Sequence, residues 1–320
     1  MENTANMDAL ADVLKAIRLS ANTYFCTDFS APWGMEIEES QQGMFHIVVD
    51  NVCWLKHSKA EEPLYLSAGD IVAFPTGGAH WISDTPDSPK QPGSDVVENI
   101  LNGNNPFQVN AEESHSGNNN TATTLLCGSF SYDSSIDHPF VRDLPCFIHI
   151  KASETPELAW LRSLVTVLAH ESRHPSPGSS VMVDRLTEVL FIQLMRTYMT
   201  STSNNVGYIA ALADLQVGSA LNLIHAEHNA YWSVERLGEA VALSRTAFTE
   251  KFSRMVGMPP KTYLINWRMQ KAKAQLEGSD RAMIDIAEGA GYSSEAAFSK
   301  AFKQYFEQPP GQVRRNSNQH

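Results

Sequence analysis

At 320 residues the chain is long enough for two domains, and its 42% hydrophobic and 19% charged content excludes a disordered or collagen-like protein. The formal net charge of -12 argues at first against a nucleic-acid partner. The two parts differ, however. From Val217 onward 13 Lys and Arg stand against 10 Asp and Glu, a balance of +3, while the rest holds 11 against 26, a balance of -15. Only the C-terminal part therefore tolerates a phosphate backbone.

The opening residues contain no cleavable signal, because Asp8, Asp12 and Lys15 interrupt any apolar run, and no apolar stretch reaches membrane-spanning length. Cys26, Cys53, Cys127 and Cys146 are too scattered for a disulfide framework, which points to a reducing cytoplasm. Over residues 35–80 short β-rich runs recur at 45–49, 52–55, 64–66 and 71–74. Asp50-Asn51, Gly69-Asp70 and Thr76-Gly77-Gly78 punctuate them, so antiparallel hairpins are predicted. Residues 83–124 are dense in Pro, Gly, Asn, Ser and Asp and predict a long, mostly mobile insertion. Strand character returns at 124–132 and 147–150.

From Pro156 the period becomes helical. Leu158, Leu161, Leu164, Val165 and Leu168 share one face, and a second helix carries Val183, Leu186, Val189, Leu190, Ile192, Leu194 and Met195. This apolar pair either packs on the β-domain or forms a dimer interface. Residues 200–207 read as a polar linker, and the remainder as helix.

Two C-terminal segments look alike: LGEAVALSRTAFTEKF (237–252) and IAEGAGYSSEAAFSKAF (286–302). Ser244, Phe248 and Phe252 recur fifty positions later as Ser294, Phe298 and Phe302. Each segment predicts a short helix, a tight turn, and a second helix that starts on a capping Ser. The Phe pair at i and i+4 faces inward, leaving the opposite face polar. That is the pattern of a helix-turn-helix, whose second helix enters the major groove. One such segment is weak evidence, whereas two joined by an amphipathic helix over 260–276 are strong.

Residues 232–315 resemble the DNA-binding domain of the AraC/XylS family of transcription regulators. The residues carrying the resemblance are WSVERLGEAVALSRTAFTEKF, GMPPKTYLINWRMQKAKAQL, IDIAEGAGYSSEAAFSKAFKQYF and the closing PPGQVRR. The resemblance implies base reading by Arg245, Thr246, Thr249 and Glu250 in the first unit and by Glu295, Ala296, Ser299 and Lys300 in the second. It implies phosphate contacts from Arg254, Arg268, Lys303 and Arg314. Glu250 and Glu295 lower the charge of the two reading helices, and Glu307-Gln308-Pro309 stands where relatives carry Gly before Ser-Pro.

The segment GDIVAFPTGGAH (69–80) fits the second motif of the cupin superfamily, with Gly69, Pro75, Gly77 and His80 in register. Together with CWL at 53–55 and LLCGSF at 125–130, it is similar to the cupin-type sensor half of a subgroup of the same regulators. A metal site built on His46, His80 and Cys127, suited to zinc, copper or iron, is one expectation. Histidines hydrogen-bonded to backbone are the other, since the catalytic pattern H-x-H-x3–4-E is absent after His46. A redox switch through Cys127 with Cys26 or Cys53 competes with buried, unreactive thiols. His57, His115, His138, His170 and His174 are expected at the surface.

The expected architecture is α+β and multidomain. A cupin-like β-barrel with a helical dimerisation segment spans 1–200, a linker 201–215, and an all-α domain with two helix-turn-helix units 216–315. The expected function is sequence-specific regulation of transcription, governed by a small-molecule or stress signal sensed in the barrel, with no required cofactor. Promoter DNA, RNA polymerase, an effector and a second copy of the chain are the expected partners, without a membrane. The rival reading is a metal-dependent cupin enzyme with an appended helical domain.

Overall fold

A computed structural model describes residues 8–108, 122–133, 138–152, 159–201 and 206–317. The chain opens on α1 (Ala9–Ala16), where the Asp8 carboxylate accepts from the Ala11 amide and caps the helix. The strands that follow are β1 (Ser20–Phe29), β2 (Gly34–Ile37), β3 (Gly43–Asp50), β4 (Val52–His57), β5 (Leu64–Ser67), β6 (Ile71–Phe74), β7 (His80–Ser83), β8 (Gln91–Pro92), β9 (Thr123–Ser131) and β10 (Ile148–Ile150). Helix α2 (Gly93–Leu101) precedes β9, and α3 (Pro139–Arg142) precedes β10. The strands form two five-stranded sheets, in the orders β1-β9-β3-β6-β10 and β5-β4-β7-β2-β8. Phe25, Val48, Phe74 and Leu125 of the first sheet share one core with Met35, Cys53, Leu55 and Ile82 of the second. The expected barrel thus takes the two-sheet form of cupins. Fully burying one such large apolar side chain is worth about 1.5–3 kcal/mol.

The turns expected to close hairpins are instead corners. β3 and β4, β5 and β6, and β6 and β7 lie in different sheets, and only the connection from β4 to β5 joins ladder partners among these. Alternating hydrophobicity marks which face of a strand is buried, but not which strand it pairs with. Asn51 adopts φ 63° and Gly77 φ 73° at two of these corners. A side chain at Gly77 would run into the Ser40 carbonyl.

The predicted mobile insertion is corrected over its first half. α2 buries Val96, and Phe107 packs on Phe29 with ring centroids 5.9 Å apart. The Asn105 amide donates to the Asp28 carbonyl at 2.8 Å. Two apolar anchors among polar neighbours suffice to seat this segment on the core, although they are too sparse to show a period. Residues 109–121, including the Asn tract and His115, lie outside the described residues.

Helices α4 (Ala159–Arg173) and α5 (Ser179–Ser201) cover the first sheet. Leu161, Leu164, Leu168, Leu190, Phe191 and Leu194 are buried, and the Phe191 ring meets Phe130 edge-on at 4.8 Å. Trp160, Val167, Val181, Met182 and Val189 stay exposed.

Downstream come α6 (Tyr208–Ala213), α7 (Leu215–Ala226), α8 (Val234–Ala240), α9 (Arg245–Val256), α10 (Pro260–Gly278), α11 (Met283–Gly289), α12 (Glu295–Phe306) and α13 (Pro310–Ser317). Within the expected linker α6 takes up 208–213, with Tyr208, Ile209 and Ala211 buried. Contacts divide the chain into two units that cut across sequence order: residues 19–132 with 144–200, and residues 1–18 with 133–143 and 201–320.

Within the second unit α1 lies on α7, and the Ala9 amide donates to Asn222 Oδ1 at 2.8 Å. At its centre the Tyr263 hydroxyl meets the Tyr208 hydroxyl and His225 Nε2, each at 2.6 Å, and His138 Nε2 at 3.3 Å. The surface position expected for His138 is therefore corrected: its side chain is buried, and its Nδ1 accepts from the Phe140 amide. Burial, helped by Arg142, pushes its pKa down to about 3. Among the described residues no helix is long and apolar enough to cross a membrane.

Candidate nucleic-acid interface

The first helix-turn-helix is α8, a turn, and α9. Ser233 caps α8 by accepting from the Arg236 amide, and Ser244 caps α9 by accepting from Ala247 at 3.3 Å. Gly238 lets the turn fold back closely, since a Cβ there would lie 2.9 Å from the Leu243 carbonyl. Phe248 and Phe252 are fully buried. The second unit, α11 and α12, repeats this design, with Ser294 accepting from Ala297 at 3.3 Å and Phe298 and Phe302 fully buried. α10 connects the two units, burying Tyr263, Leu264, Trp267, Met269 and Leu276.

With the Phe pairs inward, the outer faces of α9 and α12 are left to solvent. Arg245, Thr246 and Glu250 are exposed and Thr249 is half-buried; on α12, Glu295, Ala296 and Lys300 are exposed and Ser299 is half-buried. Arg254 and Lys303 are exposed as well. Two further arginines expected at phosphates are occupied by backbone carbonyls. Arg268 donates from Nε to His228 at 2.6 Å and from Nη2 to Ala230 at 2.7 Å, and Arg314 donates to Arg281 at 2.6 Å. Sequence reasoning also missed Glu235, which pairs with Arg245 at 2.9 Å, and Lys251, which bonds Asp214 at 2.8 Å and Gln216 at 2.9 Å. No periodicity signals these pairs, because they join separate helices.

In the other unit the three expected metal ligands do come together. Register sets His46 of β3 directly opposite Cys127 of β9, while His80 reaches in from the second sheet and stacks on Phe74 at 3.8 Å. His80 Nδ1–H donates to the Gly78 carbonyl at 2.7 Å. Neutral His80 therefore accepts at Nε2 from His46 Nε2–H, at 2.8 Å. That leaves His46 Nδ1 to accept from the Cys127 thiol at 3.1 Å.

The result is a buried, one-directional chain of neutral groups. Burial, with His80 second, holds the His46 pKa well below its ordinary value. Burial brings His80 down to about 4 and drives the Cys127 thiol well up. Cys127 and His80 sit on opposite edges of the His46 ring, so the three donors do not point at one centre about 2.0–2.3 Å from each. Among the described residues no group of three His, Cys, Asp or Glu converges to hold a metal. The three-ligand expectation does not fit this arrangement; of the alternative, histidines bonded to backbone, only His80 is an instance, since His46 bonds two side chains.

The expected Cys127–Cys26 redox pair is likewise corrected. Cys26 pairs across the ladder with Leu126 and Cys127 with Phe25, so alternation sends the two thiols to opposite faces of the sheet. Cys127 lies in the core, while Cys26 lines a hollow of about 480 Å³ beside Arg173 and Asp28. Burial raises the Cys26 pKa, against the pull of Arg173. The Cys53 thiol is also in the core, pushed by burial up to about 12.

Residues 8–200 match the family described as Cupin, and residues 237–316 the one described as Helix-turn-helix domain. The chain is 29% identical to the HTH-type transcriptional regulator AlkR of Acinetobacter baylyi, over 97% of this chain and 100% of that protein. It is 25% identical to an AraC-like transcription regulator of Streptomyces lividans, over 97% and 99% of the two chains. Among solved structures, the DNA-binding domain of AdpA in complex with a target DNA is 24% identical, with a TM-score of 0.32, covering 33% of this chain and 95% of that one.

Proposed function

This chain belongs to the AraC-like helix-turn-helix transcription regulators with a Cupin-family N-terminal domain, and on that premise we propose how it reads DNA. Arg245, Thr246, Thr249 and Glu250 face the bases of one major groove, and Glu295, Ala296, Ser299 and Lys300 those of a second. Arg254 and Lys303 take phosphates. The sub-sites lie about 10 bp apart on one face of the duplex, or the DNA bends between them. The observation carrying this reading is the repeat itself: two Ser-capped second helices, each with an i, i+4 Phe pair buried and its opposite face exposed.

The Cupin-family domain receives a small-molecule or stress signal, and the chain acts in the cytoplasm on promoter DNA together with RNA polymerase. The exposed Trp160, Val167, Val181, Met182 and Val189 on α4 and α5 support a homodimer, which binds paired sites more tightly through high effective concentration. A ligand shifts an existing equilibrium between DNA-competent and incompetent states. The alternative of a metal-dependent enzyme gains nothing from His46, His80 and Cys127, whose donors do not converge.

Footprinting on duplexes selected from a random pool tests the reading. Two protected major-groove segments about one helical turn apart are expected. Thr249→Ala and Lys300→Ala are expected to weaken binding to the selected site more than to random duplex; equal losses on both would remove these side chains from base reading.

A further inference from the structure

Arg268 stands on α10, the helix between the two helix-turn-helix units, yet its guanidinium is half-buried and turned away from solvent use. Nε and Nη2 donate to the His228 and Ala230 carbonyls, in the connection that leads from α7 into α8 of the first unit. That connection is itself braced: Trp232 Nε1 donates to the Glu227 carbonyl at 3.0 Å and Arg236 to the Tyr231 carbonyl at 2.6 Å. The other edge of the guanidinium lies against Gly291, in the turn of the second unit. A Cβ at Gly291 would stand 2.5 Å from Nη1 and 3.0 Å from Cζ, and the residue holds φ at 82°. One side chain therefore touches the entrance to the first unit and the turn of the second.

We propose that Arg268 is a positioning residue, a clamp that sets the angle between the two reading helices and so the spacing of sub-sites the chain accepts. The inference rests on the DNA-reading function above. A planar fork suits the role, because it satisfies two carbonyls at once while presenting a flat edge to a glycine; an ammonium group cannot do both. Glycine at 291 is required twice over, by its left-handed backbone and by the guanidinium against it.

The test uses the full chain and two-sub-site duplexes selected by the wild type, with and without one inserted base pair between the sub-sites. The insertion rotates one sub-site by about a tenth of a turn. Wild type is expected to lose about tenfold or more in affinity, and Arg268→Ala less than about threefold, at an unchanged salt slope. If Arg268 contacts a phosphate instead, Arg268→Ala keeps the full spacing penalty and lowers the salt slope by about 0.9, which overturns the clamp.

Gly291→Ala strains the left-handed turn in either background, so it is read on spacing alone. It should loosen the spacing preference in the wild-type background and loosen it no further in Arg268→Ala; equal loosening in both backgrounds overturns the coupling. Wild-type chain that shifts no duplex at all overturns the DNA-reading function, and the clamp with it. Wild type that binds with an Arg268→Ala variant equally strict about spacing overturns the clamp alone.

Discussion

Gly257 and Glu307, fifty positions apart, end the two reading helices in the same left-handed conformation, with φ 77° and 61°. The repeat thus extends from side chains to backbone, and its second copy places a carboxylate residue where the first has glycine. An L-residue held there costs roughly 1–2 kcal/mol, partly offset by the greater chain entropy glycine has when unfolded. Glu307→Gly should accordingly stabilise the protein by up to about 1 kcal/mol in denaturant melts. A neutral or negative result would mean that Glu307 makes a compensating interaction.

Arg245 is held by Glu235 from the neighbouring helix, although the salt bridge is open to solvent. Reading a base with Arg245 requires this pair to open, and the carboxylate repels phosphate. Glu235→Gln should bind random duplex about threefold more tightly at low salt, with the advantage shrinking as salt rises. Unchanged affinity on filter binding would show that Arg245 does not meet DNA.

The buried His138 links stability to pH. Its pKa is about 3 in the folded protein against an ordinary 6.5, because burial disfavours the charged ring. The folded pKa is the lower one, so its contribution is complete above about pH 6.5 and is lost as pH falls towards 3. Between pH 7 and pH 5 the loss from this one group is about 2 kcal/mol. Denaturant melts at the two pH values should show a smaller difference for His138→Gln than for the wild type, whatever the variant's stability at pH 7.

Thiol accessibility separates a fast redox switch from a structural role for the cysteines. Cys146 is exposed, whereas Cys26, Cys53 and Cys127 are buried. An aromatic disulfide reagent should modify one thiol quickly in the native chain and the other three only after unfolding. Rapid native reaction of Cys127→Ser and wild type alike at a second thiol would show that Cys26 or Cys53 reacts despite its burial.

The sequence by itself determined the repeat: the Ser caps, the Phe pairs at i and i+4, and the polar outer faces follow from local spacing along a helix of known period. It likewise marked 76–78 as a turn, because glycine at 77 answers a backbone demand that no side chain meets, but not that the turn carries the chain from one sheet to the other. Tertiary structure decided which groups meet across elements. His46 faces Cys127 through strand register, which a shift of one residue would abolish. His80 joins them from the other sheet, and so makes a linear chain of hydrogen bonds where spacing alone suggested a converging ligand set. His138 left the expected surface for the Tyr263 cluster, and Arg268 turned from phosphate towards two carbonyls and a glycine. Local propensity is set by near neighbours in the chain; these assignments depend on packing between residues from 23 to 125 positions apart, where no periodicity survives.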